Sequence, residues 1–270
     1  MSSVIRKKIF LTVLTYPLPS LSYDDSFCAA GFFEDGSMIR LYPLPFAKYR
    51  LLHKYSEIEL DIKKRSKGDF RTESYSPADF NLKDLKILNK IDTSNEWNKR
   101  RSMCLNNVYY DYDKLLNDSK APLNISLAVY KPKEIIDFIV EDDNREWKKS
   151  WIAKMNQTKI FEDTSSVLKL DKIPFKFKYH FIDNNKSHKL SILDWEAGVL
   201  YRNCLKSSDG SESNAIDKVR QKYLVEFKKR DVYFFLGTTL EWHIRRVLNP
   251  FVIIGVFYPP YPKEQPPSLF

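Results

Sequence analysis

Pro174-Phe-Lys-Phe-Lys-Tyr-His-Phe-Ile182 alternates aromatic and polar side chains without a break. Successive side chains of an extended chain point to opposite faces, so Phe175, Phe177, Tyr179 and Phe181 share one side and Lys176, Lys178 and His180 the other. The stretch predicts a strand with a dry aromatic face and a wet basic one. Upstream, Leu123–Tyr130 ends at Lys131-Pro132 and reads as a strand, and Ile135–Val140 reads as a strand or a short helix, with strand preferred. Asp142 or Asp143 is placed to cap a helix carrying Trp147, Trp151 and Met155 on one stripe. Downstream, Asp194 caps a predicted helix over 195–203. Ser213 or Asn214 caps another, with Ile216, Val219, Tyr223 and Phe227 at helical spacing, and Val232–Leu236 and Phe251–Phe257 follow as strands.

The N-terminal half opens the same way. Ile9–Thr15 is β-branched and aliphatic and stops at Tyr16-Pro17, where proline removes a ladder donor. Phe27–Phe33 and Met38–Tyr42 flank Glu34-Asp35-Gly36-Ser37, a tight-turn signal, and Tyr55–Lys63 alternates with period two. Residues 79–117 change to helical spacing: Leu82, Leu85, Leu88 and Ile91, then Trp97, Cys104, Leu105, Val108, Tyr112 and Leu115. Strands thus come in two batches, each broken by helices, whereas a doubly wound sheet would alternate strand and helix regularly. The expected fold is α+β, mainly β: two small β-barrels in tandem, over 1–131 and 132–270, with helical insertions at about 79–117 and 194–229.

Composition bounds the rest. The 270 residues hold 44 Lys plus Arg against 35 Asp plus Glu, a net charge of +9 that favours an anionic partner. With 43% hydrophobic and 14% aromatic residues the chain has material for a core, and disordered or collagen-like readings are excluded. Three scattered cysteines, Cys28, Cys104 and Cys204, form no CxxC pair and fit reduced thiols in a cytoplasm. The longest apolar run, Phe251–Tyr258, is less than half of the roughly 20 residues a spanning helix needs, so no membrane is expected.

Several short runs, taken together, resemble one family. They are Thr15-Tyr16-Pro17-x-Pro19-Ser20, Cys28-x-Ala30-Gly31, Ile39-Arg40-Leu41-Tyr42-Pro43-x-Pro45-Phe46 and Asp69-Phe70-Arg71-x-Glu73-Ser74 in the first half. The second half adds Asp194-Trp195-Glu196, Leu200-Tyr201-Arg202-Asn203 and Ile253-Ile-Gly-Val-Phe-Tyr-Pro-Pro260. The set resembles uncharacterised prokaryotic proteins with the dual-OB-containing domain, found in antiviral and mobile-element gene contexts. The resemblance implies two OB-like barrels and that setting, with protein partners encoded nearby and no established reaction. Some relatives carry cysteines before the position of His188, whereas Phe181–Ser187 has none. A zinc site would need four compact ligands, so no metal and no cofactor are expected.

Three sets of residues can carry function. The first is basic: residues 40–71 hold nine bases against four acids, and residues 144–190 eleven against five. On an OB-like barrel, Arg40, Lys63, Lys64, Arg65, Lys67 and Arg71, with Lys176 and Lys178, would grip a phosphate backbone while bases stack on Tyr42 or Phe46. The same charges also suit an ordinary solvated surface. The second set, Gly237, Thr238, Thr239, His243, Arg245 and Arg246, presents hydroxyl, imidazole and guanidinium groups suited to a phosphate, or forms a plain turn. The third is His188, Asp194 and Glu196, with His243, which would serve acid–base or divalent-metal chemistry. Asp194 and Glu196 lie two apart, however. On a helix they diverge by roughly 200° and cannot meet one ion, whereas an N-cap and a first-turn acid explain both.

Gly-rich phosphate loops and nucleophile elbows are missing from the sequence. The first expectation is therefore a nucleic-acid-binding or nucleotide-sensing module. The alternatives are a phosphodiester or nucleotide-processing enzyme, which would require a divalent metal, and a protein-binding scaffold.

Overall fold

A computed structural model describes residues 3–16, 26–65, 69, 71–149 and 172–262. The N-terminal strands are β1 (Val4–Leu14), β2 (Ser26–Phe32), β3 (Met38–Pro45), β4 (Ser56–Lys64), β5 (Ser74–Pro77) and β6 (Lys86–Lys90). The first five close into a barrel in the order β1-β2-β3-β5-β4, with β4 returning antiparallel to β1. The pairing of β3 with β5 is parallel, Arg40 opposite Ser74 and Leu41 opposite Tyr75. Ile9, Leu11, Phe27, Ile39, Leu41, Ile58, Leu60 and Ile62 fill the interior, one face of each strand as period two requires.

After β6 come α1 (Ser94–Cys104), β7 (Val108–Tyr109) and α2 (Tyr112–Asp118), followed by β8 (Leu127–Tyr130), β9 (Glu134–Asp142), β10 (Phe175–Asp183) and β11 (Lys186–Ser191). Helices α3 (Trp195–Lys206) and α4 (Glu212–Arg220), the latter running on through 221–226, precede β12 (Tyr233–Thr238), α5 (Leu240–Ile244) and β13 (Phe251–Phe257). One sheet has the order β11-β10-β9 and the other β13-β12-β8-β7. A parallel bridge between Ile192 and Ile253 joins β11 to β13. Phe175, Phe177, Tyr179 and Phe181 point inward onto Phe138, Tyr201, Tyr223 and Phe234, as their alternation requires.

A third core lies between the halves. Phe10, Val13, Ala30 and Phe32, on the outer faces of β1 and β2, pack against Leu127, Val129, Tyr233, Phe235, Val252, Ile254 and Phe257. Each Val, Leu, Ile or Phe among them adds roughly 1.5 to 3 kcal/mol when fully buried, so the halves are joined by a true core. Asp231 closes its edge: it accepts from Arg101 of α1 at 2.9 Å, from Tyr233 Oη at 3.0 Å and from Lys131. Burial raises the Asp231 carboxyl, but Lys131, Arg101 and Tyr233 outweigh that and hold it below its ordinary 3.8. A carboxyl depressed by folding stabilises above its unfolded value, and the contribution is lost as pH falls through the folded value. Asp231→Asn should therefore lower the urea midpoint at neutral pH and flatten its fall below about pH 4; acid slopes equal to those of the parent protein would contradict this.

One expectation needs correcting. The helix expected from Leu82 to Ile91 is instead a turn followed by β6. Asp79 accepts from the backbone of Asn81 and Lys83 and so imitates a cap, but Leu82 takes a φ of 53° and Lys86–Lys90 then pair with β4. β7 and β8, which precede residue 131, lie in one sheet with β12 and β13. Of the stripe Trp147, Trp151 and Met155, the last two lie outside the described residues. No described helix is long and apolar enough to cross a membrane.

Candidate nucleic-acid interface

Where the β2–β3 hairpin of the barrel meets β7 and β8, a groove of about 770 Å³ opens. Gly36 makes the hairpin turn possible with a φ of +81°, a conformation glycine adopts without cost. That turn brings Phe33 and Met38 to one wall, and β5 adds Tyr75. Tyr109 and Tyr110, after α1, supply the other wall. Phe33 and Tyr75 meet edge to face at 5.7 Å, and Tyr110 is 67% exposed. Ammonium groups stand over three of the rings: Lys7 over Phe33 at 5.9 Å, Lys64 over Tyr75 at 4.5 Å and Lys114 over Tyr109 at 5.1 Å. Two acids line the groove: Glu73 is held by the backbone N–H of Ser126 at 3.0 Å and its hydroxyl at 2.8 Å, and Asp111 accepts from the backbone of Lys114 at 2.8 Å, while the Lys114 ammonium also pairs with Asp118 at 2.8 Å. Burial pushes the Tyr109 phenol up to about 12, reinforced by the nearby Asp118 carboxylate, so it stays a neutral donor.

Lys64 alone, of the basic residues singled out in the sequence, stands over a groove ring. Lys63 is its half-buried neighbour on β4, and Arg65 reaches the carbonyl of Tyr42 at 3.0 Å and lies 5.6 Å from its ring. Lys67 is outside the described residues. Phe46 is 6% exposed and packs in the barrel core against Tyr49 and Trp195. Lys176 and Lys178 pair with Asp143 at 3.1 Å and Glu141 at 2.6 Å on the outer face of β10.

Arg40 and Arg71 are buried between the halves. Arg40 donates to Ser126 Oγ at 2.8 Å and Ser126 O at 2.9 Å, and Arg71 to Thr238 O at 3.0 Å and to both oxygens of Asp69 at 2.7 and 2.8 Å. Burial, then repulsion from Arg71, pushes the Arg40 guanidinium down to about 10. In Ile39-Arg40-Leu41 the alternation correctly turns Arg40 out of its own barrel, but only the second half buries it.

The residues of the second set lie along β12, α5 and the turn that follows it. Gly237 and Thr238 are strand residues inside β12, and Thr239 caps α5 by accepting from Trp242 N at 3.2 Å. Thr238 Oγ1 meets His243 Nδ1 at 3.1 Å, Arg245 pairs with Glu241 at 3.0 Å and Arg246 reaches Asn124 at 3.1 Å.

In the third set, His188 stacks on Phe181 and meets the Tyr112 ring edge-on, apart from the two acids. Burial lowers its pKa. Asp194 and Glu196 do converge, contrary to the helical-wheel argument, on the buried Lys54 Nζ at 3.3 and 2.7 Å. Asp194 is the N-cap with an extended backbone, so the 100° step of a helix does not apply to it. Burial holds Asp194 up at about 6, with Glu196 adding to the rise, while the two carboxylates keep Lys54 protonated above its ordinary value. The triad ties the first barrel to α3.

The rings of the groove escaped the sequence reading. Phe33, Tyr75, Tyr109 and Tyr110 come from three separated segments, and only Tyr109-Tyr110, a pair of aromatics in a polar stretch, carries a local signal.

Residues 108–270 match the family model described as domain of unknown function DUF8757, and residues 5–106 match that of DUF8758. No curated protein matches the sequence. Among solved structures, the chain is similar to a tetrameric p202 HIN2 at 9% identity and a TM-score of 0.31, over 72% of this chain and 75% of that one. A replication protein A heterotrimer bound to ssDNA aligns at 10% identity and 0.38, over 88% and 45%. A murine DNA-binding protein bound with dsDNA aligns at 9% and 0.29, over 94% of both.

Proposed function

The chain belongs to the DUF8757 family through residues 108–270, and from that premise we propose that it is a module that binds single-stranded nucleic acid in the groove between its two halves. The observation that carries this reading is the row of rings with ammonium groups over them. A base has a π-face that stacks on Phe33, Tyr75 or Tyr110, while Lys7, Lys64 and Lys114 meet the phosphates.

The architecture supports the same reading. In the first half the order β1-β2-β3-β5-β4, with β3 parallel to β5 and a helical turn before β4, fits a small five-stranded barrel of the OB kind. In the second half we take β8 and β9, which follow one another across Lys131–Lys133, as one bent first strand. The order then runs β10, β11, β13, β12 and back to β8, with the β11–β13 bridge parallel and α3 and α4 before β12. We read the chain as two OB-like barrels, with the division near residue 107. The scattered thiols suit a cytoplasmic setting, and the motif resemblance adds a prokaryotic antiviral or mobile-element system, with partner proteins encoded nearby. Of the residues named for the hydrolytic alternative, His188 stacks on Phe181, and Asp194 and Glu196 are engaged by Lys54.

The test is binding of labelled ssDNA, ssRNA, dsDNA and dsRNA across a salt series. The expected result is single-strand preference, with the logarithm of the binding constant falling against log salt with a slope of about −2, for three phosphate contacts on a single strand. Binding that ignores salt, or none at about 0.15 M salt, would overturn the proposal.

A further inference from the structure

A second cavity, of about 410 Å³, opens between the segment after α2 and the loop joining β12 to β13. At its floor is His243, 2% exposed. Burial lowers its pKa first, and the guanidiniums of Arg71, Arg246 and Arg40 lower it further, so the surroundings are cationic. Lys120 and Arg246, both exposed, line the cavity too, with Lys120 donating to the neutral amide of Asn117 at 3.3 Å and Arg246 to that of Asn124 at 3.1 Å. Among the described lining residues there is no carboxylate. The walls are apolar: Trp242 is 38% exposed, Val247 37% and Leu248 92%.

These two cations attract an anion, and they suit phosphate because their donors make charge-assisted hydrogen bonds to its oxygens. An inorganic ion alone would leave the indole and the aliphatic walls in water, whereas a flat apolar body covers them. The volume falls within the usual range of small-ligand pockets. We propose that this cavity binds a phosphate monoester carried on a planar base, either a free nucleoside monophosphate or the phosphorylated end of a strand. The site is separate from the groove and does not depend on it.

The test uses the full chain and isothermal titration with adenosine 5′-monophosphate and with adenosine. A parallel arm compares short oligonucleotides ending in 5′-phosphate and in 5′-hydroxyl. The monophosphate should bind at least roughly tenfold more tightly than adenosine, and Lys120→Glu should remove roughly tenfold or more of that affinity. Arg245→Glu makes the same charge change outside the cavity and should shift it less than about twofold, because the exposed side chain is already paired with Glu241. Trp242→Ala provides a second variant, expected to weaken the monophosphate and adenosine alike. Tighter binding of the phosphorylated oligonucleotide identifies a strand end as the source, and equal binding identifies the free nucleotide.

The proposal is overturned if the monophosphate does not bind and the two oligonucleotides bind equally, or if Lys120→Glu and Arg245→Glu lose affinity to the same extent. Oligonucleotide binding that ignores the 5′ end, with no monophosphate binding, removes this site and leaves the groove. The reverse pattern removes the groove and leaves this site.

Discussion

Arg40→Ala should cost about 3 to 5 kcal/mol of folding stability, among the largest single-residue effects expected of this chain. The guanidinium sits in the seam between the halves, 6% exposed, and donates to the carbonyl and hydroxyl of Ser126. Removing it deletes the bonds to Ser126 Oγ, Ser126 O and Ser74 Oγ at one stroke, and leaves Ser126 O with the N–H of Thr238 at 2.9 Å as its remaining donor. A hydrogen bond from a charged group is worth about 1.5 to 3 kcal/mol, and the cavity left in the seam adds to the loss. Arg40→Lys should recover little, because a single ammonium cannot span the Ser126 and Ser74 oxygens that a guanidinium fork reaches at 2.8 to 3.3 Å. Urea unfolding of the parent and both variants checks this. A loss below about 1 kcal/mol for alanine would mean that Arg40 does not clamp the seam.

The second large effect falls on binding. Tyr75→Ala combined with Tyr110→Ala should weaken single-stranded binding by roughly 30-fold to more than ten-thousandfold, since base stacking on an aromatic residue is worth about 1 to 3 kcal/mol per base. Tyr110 is exposed and Tyr75 half-buried, so the melting temperature should move little compared with Arg40→Ala. Tyr42→Ala is the internal comparison. Its ring lies against Arg65 and does not line the groove, so its substitution should leave affinity within about twofold. If the double variant binds as the parent does, the stacking surface is elsewhere; if Tyr42→Ala alone abolishes binding, the strand runs over β3 and the Arg65 side of the barrel.

Much of the fold is legible from period two. Phe175, Phe177, Tyr179 and Phe181 could only face inward together, and Asp194 caps α3 as its place before Trp195 implies. The segment after Asp79 was not legible, because its leucines have helical spacing but β4 offers an open edge and Ile87 and Leu88 stay 48% and 38% exposed on it. Local pattern cannot see an edge built by residues 30 positions earlier. The groove was opaque for a related reason. A cation over a ring is a tertiary fact: Lys114 and Tyr109 are neighbours in sequence, but Lys7 and Phe33, 26 residues apart, meet only after the barrel closes. Arg40 and Arg71 were misread because a local charge count treats a clamp and a solvated surface alike.

The seam also sets an order of events on the ribosome. The first barrel has all its strands by β6, at residue 90, whereas the second cannot close until β13, ending at Phe257, has left the exit tunnel. At 5 to 20 residues per second that gap is roughly 10 to 30 seconds. For that time Phe10, Val13, Ala30 and Phe32 form an uncovered apolar patch on an already closed barrel, and the aromatic core of the second half waits without its last strand. The nascent chain is thus a substrate for chaperones for most of its synthesis, and a message truncated before β13 would release a folded first barrel with a sticky face.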